Sequence, residues 1–549
     1  MTIFDFCLAD SLEKVLPGQA PPQWEEERLQ GFLGETLSLQ LAYFCRNDDF
    51  GESDCRFTVS VRSGIPDCIR LRKVELVPCA YPCHGTRDED YLTGVPGLYP
   101  DLLLPLPGRA PIKAVAGQWR SLWIDVEAPE GEHQVRLELA DPAGGRLKTL
   151  MFGVRVFGAA LPPQTLLHTE WFHADCLADY YKVPVFSEAH WRVIGNFMES
   201  AVRHGVNMLL TPLFTPPLDT AKGGERTTVQ LVGVKRGRKG YEFDFSLLRR
   251  WICLCEEKGI RFLEMSHLFT QWGAARAPKI MGRVNGGPEE QLFGWHTPAV
   301  GGEYTVFLHC FLPALKDFLS RAGWLGRTWF HISDEPHDEE VETFSRARKS
   351  VAGLLEGCQV MDALSSFEIY KKGVVERPVA SVDHIAPFLE SGAPHLWAYY
   401  CTAQALEVPN RFIAMPSTRN RVLGTLLYYF GIEGFLHWGF NFYNSQRSES
   451  HIDPYRVTDA GEAFPSGDPF LVYPAPDGTA YDSIRGMVLR QALSDLRCLQ
   501  LLEKLQGKQA AHSVVEALAG KDLSFRNYPR TKDFFYSLRQ ALGRKMGLI

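Results

Sequence analysis

Trp329-Phe330-His331-Ile332-Ser333-Asp334-Glu335-Pro336 is an apolar run that stops at two carboxylates and a proline. The stretch 328–333 has the length and composition of a buried strand, and Pro336, lacking an N–H, ends any ladder while biasing Glu335 toward extended backbone. Adjacent side chains of a strand point to opposite faces. Asp334 and Glu335 therefore reach one site only at the rim, where the strand gives way to a loop. The same kind of run recurs on both sides. Residues 166–172, 207–214, 261–268, 359–364, 384–388, 395–400 and 434–440 also read as strands. Helically spaced segments lie between several of them, at 188–204, 245–258, 306–321, 339–356 and 421–430, and another, 484–505, follows the last. In the first of these, Trp191, Ile194, Phe197, Met198, Ala201 and Val202 share one face. Asp482 and Ser483 are capping residues for the last.

Eight strands alternating with helices predict a TIM (β/α)8 barrel over residues 161–505. An open doubly wound sheet is the second reading, and it loses support because no Gly-x-Gly-x-x-Gly or phosphate loop follows the first strand. The connections 269–303 and 441–482 are long and leave strand C-terminal ends, where barrel enzymes carry their sites, so they are expected to cover substrate. Upstream, apolar and polar residues alternate in short runs at 37–43, 56–61, 71–77, 121–126, 134–139 and 149–156, separated by turn residues. Period two with regular turns predicts an N-terminal β-sandwich over 1–160. Leu161-Pro162-Pro163-Gln164 reads as a linker, and 506–549 as a C-terminal helical extension packed on the barrel exterior.

Of the 549 residues, 45% are hydrophobic and 22% charged, which excludes disorder over most of the length. The 58 basic and 65 acidic residues leave a net charge of −7, so no polyanionic partner is expected. The basic cluster Lys235-Arg236-Gly237-Arg238-Lys239 reads as a solvated loop. No apolar run approaches the roughly 20 residues of a membrane span. Residues 1–10 show neither a basic n-region nor a clean apolar h-region, so no signal peptide is read there. The 13 cysteines are scattered without a C-x-x-C pair and read as reduced thiols. Together these place the protein in the cytoplasm.

Asp334-Glu335 reads in two ways: as acid/base machinery, or as an acidic turn capping a helix, because Asp338-Glu339-Glu340 follows at once. The segment His331–Pro336 resembles the catalytic motif of glycoside hydrolase family 123 and of the related domain of unknown function 4091. Pro96–Asp101 and Gln118–Val126 are similar to that family's N-terminal domain. Gln271-Trp272-Gly273, Phe293-Gly294-Trp295, Arg419-Asn420-Arg421, Gly434–Tyr443, Gly467-Asp468 and Asp477-Gly478 are similar to its barrel. The resemblance spans roughly residues 90–505, and the number and order of the motifs make it specific. It implies a β-N-acetylgalactosaminidase that works by substrate assistance: the sugar's 2-acetamido oxygen attacks the anomeric carbon, and water opens the oxazolinium with net retention. Glu335 is then the general acid/base, and Asp334 orients the acetamide and stabilises the developing positive charge.

The same resemblance asks for a tyrosine hydroxyl on the acetamide oxygen. Tyr399 and Tyr400 end the seventh strand, and parity lets only one face inward; Tyr399 is preferred. Trp438 on the eighth strand is a candidate sugar platform and Asn441 a hydroxyl ligand. His173 and Asp175 after the first strand, and His267, Gln271 and Trp272 after the third, fall at the same barrel end and are candidates for sugar hydroxyls, as are Glu170 and His331. Arg419 and Arg421 read as loop-holding ion-pair partners. Two other classes remain open. His173, Asp175, His267 and Asp334 as metal ligands would make a metal-dependent hydrolase, although no His-Glu-x-x-His helix exists. A non-catalytic glycan-binding barrel would keep the aromatics and lose the acids. The preferred reading expects an oligosaccharide or glycoconjugate substrate, no metal or other cofactor, and no nucleic-acid or membrane partner. It leaves homo-oligomer formation, galacto versus gluco preference and other sugar specificities open.

Overall fold

Period-two alternation near the N-terminus produces two five-stranded sheets in the computed structural model, which describes residues 2–47, 55–106, 110–271 and 273–548. One sheet runs Thr2–Asp10, Leu37–Asn47, Trp119–Val126, Ile69–Cys79, Gly97–Pro105 in spatial order, antiparallel throughout. The other runs Arg28–Leu33, Arg146–Ala160, Gly131–Ala140, Arg56–Ser63, Ile112–Lys113, with its first pair parallel. Alternate residues of both meet in one apolar core: Leu39, Leu41 and Tyr43 and Leu122, Ile124 and Val126 from the first, Val135, Leu137 and Leu139 and Phe152, Val154 and Val156 from the second. Each such burial removes a side chain from water for about 1.5–3 kcal/mol. All six expected strands are present. The edge strand Gly97–Pro105 escaped notice because its two prolines argue against a strand interior; at an edge they are tolerated, and the pairing shifts register between Glu75 and Leu76.

By contact the chain divides into two units. One comprises 1–164, 409–429 and 481–549; the other comprises 165–408 and 430–480. The break at Gln164 falls in the expected linker. The second unit holds nine parallel strands: β1 (Leu167–Glu170), β2 (Met208–Thr211), β3 (Phe262–Met265), β4 (Thr328–Phe330), β5 (Gln359–Val360), β6 (Asp362–Leu364), β7 (Pro378–Ser381), β8 (Trp397–Tyr399) and β9 (Gly434–His437). Their spatial order is β5-β4-β3-β2-β1-β9-β8-β7-β6. The two end strands are consecutive in sequence, separated only by Met361, whose N–H donates to the Phe330 carbonyl at 3.0 Å. The sheet is thus a nearly closed parallel barrel. Trp171, Met208, Leu210, Trp329, Met361, Val379, Trp397 and Leu436 pack together in its core.

One expected strand is corrected. Residues 384–388 do not form it; Ala386–Glu390 is a short helix, and the strand is Pro378–Ser381. Pro387 cannot donate to a ladder but fits the first helical turn, and the apolar run around it misled the reading. The helices Glu188–Arg203, Ser246–Lys258, Gly302–Arg321, Val341–Val351, Ser417–Tyr429 and Ile484–Gln506 match expectation, and Ser483 caps the last by accepting from the Gly486 N–H at 3.0 Å. Segments after β2 and β3 build a small sheet from Gly233–Gly237, Gly240–Asp244, Ile280–Val284 and Glu289–Phe293. The basic cluster 235–239 is therefore a solvated hairpin rather than a loop, with Arg236 paired to Glu303. The terminal helices Lys508–Ala519 and Lys532–Lys545, expected on the barrel exterior, belong to the first unit. There Arg539 grips Glu35 through two hydrogen bonds, at 2.9 and 2.6 Å, and Asp495 at 2.6 Å. Arg419 pairs with Asp88 and Arg421 with Asp495, as ion-pair partners.

Candidate active site

The segment after β4 is pinned from both sides. Asp362 on β6 accepts the Ile332 and Ser333 N–H groups at 2.9 and 3.2 Å, the Phe269 N–H donates to the Ile332 carbonyl, and Ser333 Oγ donates to the Thr270 carbonyl at 2.7 Å. Strand alternation then breaks. Glu335 adopts φ +41°, in the left-handed region, instead of the extended backbone that Pro336 favours. Such a residue costs about 1–3 kcal/mol and persists only where surrounding contacts impose it. Both carboxylates consequently line one cavity of about 250 Å³ at the C-terminal end of the barrel strands.

Their surroundings differ. Asp334 is buried and accepts a hydrogen bond from Gln271 Nε2 at 2.7 Å. Burial, then the adjacent Glu335 charge, push its carboxyl up to about 7, against the pull of Gln271 and His331. Glu335 is half-buried and accepts from the Tyr399 hydroxyl. Burial raises its carboxyl as well; the Tyr399 hydrogen bond and His337 oppose this, and Asp383 adds to it. Tyr399 is itself held by Ser365 Oγ at 3.2 Å, and burial keeps its hydroxyl protonated.

Behind the pair sits a buried charged group. His331 lies between Glu264, with Nε2 to Oε1 at 2.7 Å, and Asp362, with Nδ1 to Oδ1 at 3.5 Å. Burial opposes its charge, but the two carboxylates outweigh that and push the imidazole up to about 10. Glu264 also accepts from Trp171 Nε1 at 2.7 Å and from the Thr169 hydroxyl.

Of the sequence candidates, Asp334, Glu335, Tyr399, Trp438, His173 and Gln271 all line the cavity. Tyr400 turns away, its ring against Phe435 and His437 at 5.0 and 5.4 Å. Trp438 is fixed by Nε1 donating to Asp468 at 2.8 Å and by edge contacts with Phe442 and Phe464. His173 receives a hydrogen bond from Arg226 at Nδ1 and faces the Trp438 carbonyl with Nε2, at 3.0 Å each; burial and the Arg226 charge lower its imidazole to about 3. It is a neutral wall of the cavity. Five candidates do not line the cavity, His331 described above among them. Asp175 is taken by Arg226 in a bidentate pair at 2.8 and 2.9 Å. Asn441 spends both ends of its amide on the His173 backbone. His267 stacks on His331 at 4.3 Å, and neither ring nitrogen has a hydrogen-bond partner among the described residues. Glu170 is buried against His168. Trp272 lies outside the described residues.

Sequence reasoning missed Trp171, Asp219, Cys401, Thr402, Arg447 and Phe464, which also line the cavity. Phe464 and Arg447 come from the long segment expected to cover substrate. Asp219, at φ +39°, carries a carboxyl pushed up to about 6 by burial and accepts the Arg447 N–H at 2.9 Å. No spacing signal marks it, since its place depends on that long-range contact. Among the described residues no group of three or more His, Cys, Asp or Glu side chains is placed to hold a metal ion, and no helix is long and apolar enough to cross a membrane.

Two buried-to-half-buried carboxylates with raised pKa values, facing a cavity walled by aromatic rings and a few fixed polar groups, form an arrangement suited to acid/base chemistry on a sugar. Comparison with known proteins agrees. A family 123 glycoside hydrolase from Clostridium perfringens, studied for glycolipid glycan hydrolysis, superposes with a TM-score of 0.71 at 15% identity, over 99% of this chain and 98% of that one. A β-glucuronidase from Parabacteroides merdae aligns at a TM-score of only 0.30 and 9% identity, over 90% of this chain and 53% of that one. No curated protein matches the sequence significantly. Residues 171–502, more than half of the chain, match the glycoside hydrolase 123 catalytic domain. The chain belongs to glycoside hydrolase family 123 and is a glycoside hydrolase.

Proposed function

We propose that this enzyme removes terminal β-linked N-acetylgalactosamine from an oligosaccharide or glycoconjugate, with net retention, by substrate assistance. The observation that carries the reading is the left-handed turn at Glu335, which brings two consecutive carboxylates to one cavity with different partners. In the first step the 2-acetamido oxygen attacks the anomeric carbon, and the bond to the leaving oxygen breaks as that oxygen takes the Glu335 proton. Asp334, as carboxylate, accepts the acetamide N–H and balances the oxazolinium charge. In the second step Glu335 takes a proton from water as the water oxygen bonds to the anomeric carbon and the oxazolinium opens. Trp438 stacks on the sugar's apolar face, and Tyr399, which lines the same cavity, is the hydroxyl assigned to the acetamide oxygen.

A cavity of this volume has room for about one sugar residue, which supports exo action. The solved relative's action on glycolipid glycans supports a glycoconjugate substrate. Reading the segments on either side of Met361 as one strand would bring the count to eight, which supports a (β/α)8 barrel. The scattered cysteines, read from their spacing as reduced thiols, fit a reducing compartment such as the cytoplasm.

A nitrophenyl-sugar panel tests the reading. Hydrolysis of the β-N-acetylgalactosaminide but not the β-galactoside, with strong inhibition by the thiazoline analogue of the intermediate, is expected. Hydrolysis only of sugars lacking the acetamido group would overturn the mechanism, and preference for the N-acetylglucosaminide would overturn the sugar.

A further inference from the structure

Gln271 stands between two groups that permit one orientation of its amide. The Asp219 backbone N–H donates to its Oε1 at 2.5 Å, and its Nε2 donates to Asp334 Oδ2 at 2.7 Å. A backbone N–H can only donate, so the amide oxygen must face Asp219 and the NH2 must face Asp334. Reversal would set donor against donor and oxygen against carboxylate. Asp219 is itself held. Its carboxylate accepts the Arg447 N–H at 2.9 Å, its carbonyl accepts Ser448 Oγ at 2.7 Å, and the Ala221 N–H donates to the Arg447 carbonyl at 3.0 Å. The segment from the far side of the cavity thereby fixes the N–H that fixes Gln271.

The groups facing Asp334 pull its proton both ways. Glu335 on the same segment and Asp362 on β6 favour the protonated acid, while His331 behind it favours the carboxylate. Cys401, after β8, is a thiol kept protonated by burial. Gln271 adds a donor that has no means of accepting a proton from Asp334. It also occupies Oδ2, and Oδ1 takes no hydrogen bond from any described residue.

We propose that Gln271 is a positioning residue that holds Asp334 as a carboxylate with one oxygen directed to the substrate, and is not itself a sugar ligand. The proposal rests on the reading that Asp334 acts ionised on an acetamido substrate.

Gln271→Glu tests it, because the new side chain has the same shape, keeps an acceptor for the Asp219 N–H, and donates to Asp334 only while protonated. Its kcat/KM is expected to approach wild type at the acid end and to fall about tenfold per pH unit as the new carboxyl ionises, so that the alkaline limb begins at least one pH unit lower. Gln271→Ala, which removes the donor, should move the acid limb upward and lower kcat with little change in KM. A raised KM with both limbs at their wild-type positions, in either variant, would overturn the inference and make Gln271 a sugar ligand. Asp334→Asn is assayed alongside. If it retains wild-type turnover, the underlying catalytic reading fails; if it is inactive while the Gln271 variants leave the limbs unmoved, only the present inference fails.

Discussion

Glu335 must lose a proton and regain it within one turnover, while Asp334 must stay ionised beside it. The two carboxyls share burial and repel each other, so they titrate as a pair. The active form keeps one proton on the pair, so the pair's two protonation steps bound a bell in kcat/KM, and both limbs are expected above the ordinary carboxylate range because burial raises both groups. Glu335→Gln should lower turnover of poor leaving groups by about 10²–10⁴-fold and of activated aryl glycosides much less. Equal losses on both would remove the acid role. The pair stood out in the sequence as two carboxylates closing an apolar strand, although spacing alone left a helix-capping turn open beside acid/base chemistry. The turn that unites them was not legible, since Pro336 argued for extended backbone and only Asp362, Thr270 and Tyr399 impose the alternative. Likewise, nothing near Asp175 announced that Arg226 would claim it.

At the scale of elements, His331 ties three strands or their ends together, with Glu264 on β3 and Asp362 on β6 on either side. Its imidazole holds a proton more tightly folded, at about 10, than unfolded, at about 6.5. The stabilisation it supplies is complete below the unfolded value and is lost as pH rises through the folded one. Thermal melts of wild type and His331→Gln should therefore differ most near pH 6 and converge toward pH 10. A gap independent of pH would mean that His331 is neutral. The alternation of strands and helices and most helix spans were readable from periodicity, though the sheet has nine strands where eight were read, and the 441–482 segment, whose Arg447 and Phe464 line the cavity, was marked by its length. The strand expected at 384–388 was misplaced because a short apolar run fits helix and strand alike, and only Pro387 separates the two.

For the whole molecule, the first unit gathers three distant stretches, and local periodicity carries no trace of that. Arg485 reaches Asp101, Arg419 reaches Asp88, and Arg539 reaches both Glu35 and Asp495. Arg539→Ala leaves the buried Glu35 without its cation while Asp495 keeps Arg421, and a loss of about 3–5 kcal/mol in unfolding free energy is expected by denaturant titration. The folded fraction should keep its KM, since every cavity-lining residue lies in the other unit. A smaller loss, within about 0.5 kcal/mol, would show that the contact is dispensable. The interleaving also orders the chain in time. During synthesis the two N-terminal sheets leave the ribosome long before the helices of 484–506 and 532–545, so they must wait, incomplete, while the entire barrel is made. A nascent chain stalled before residue 539 would hold Glu35 without its cation and Asp495 with Arg421 alone, and its early sheets should remain open to protease until the last helix arrives.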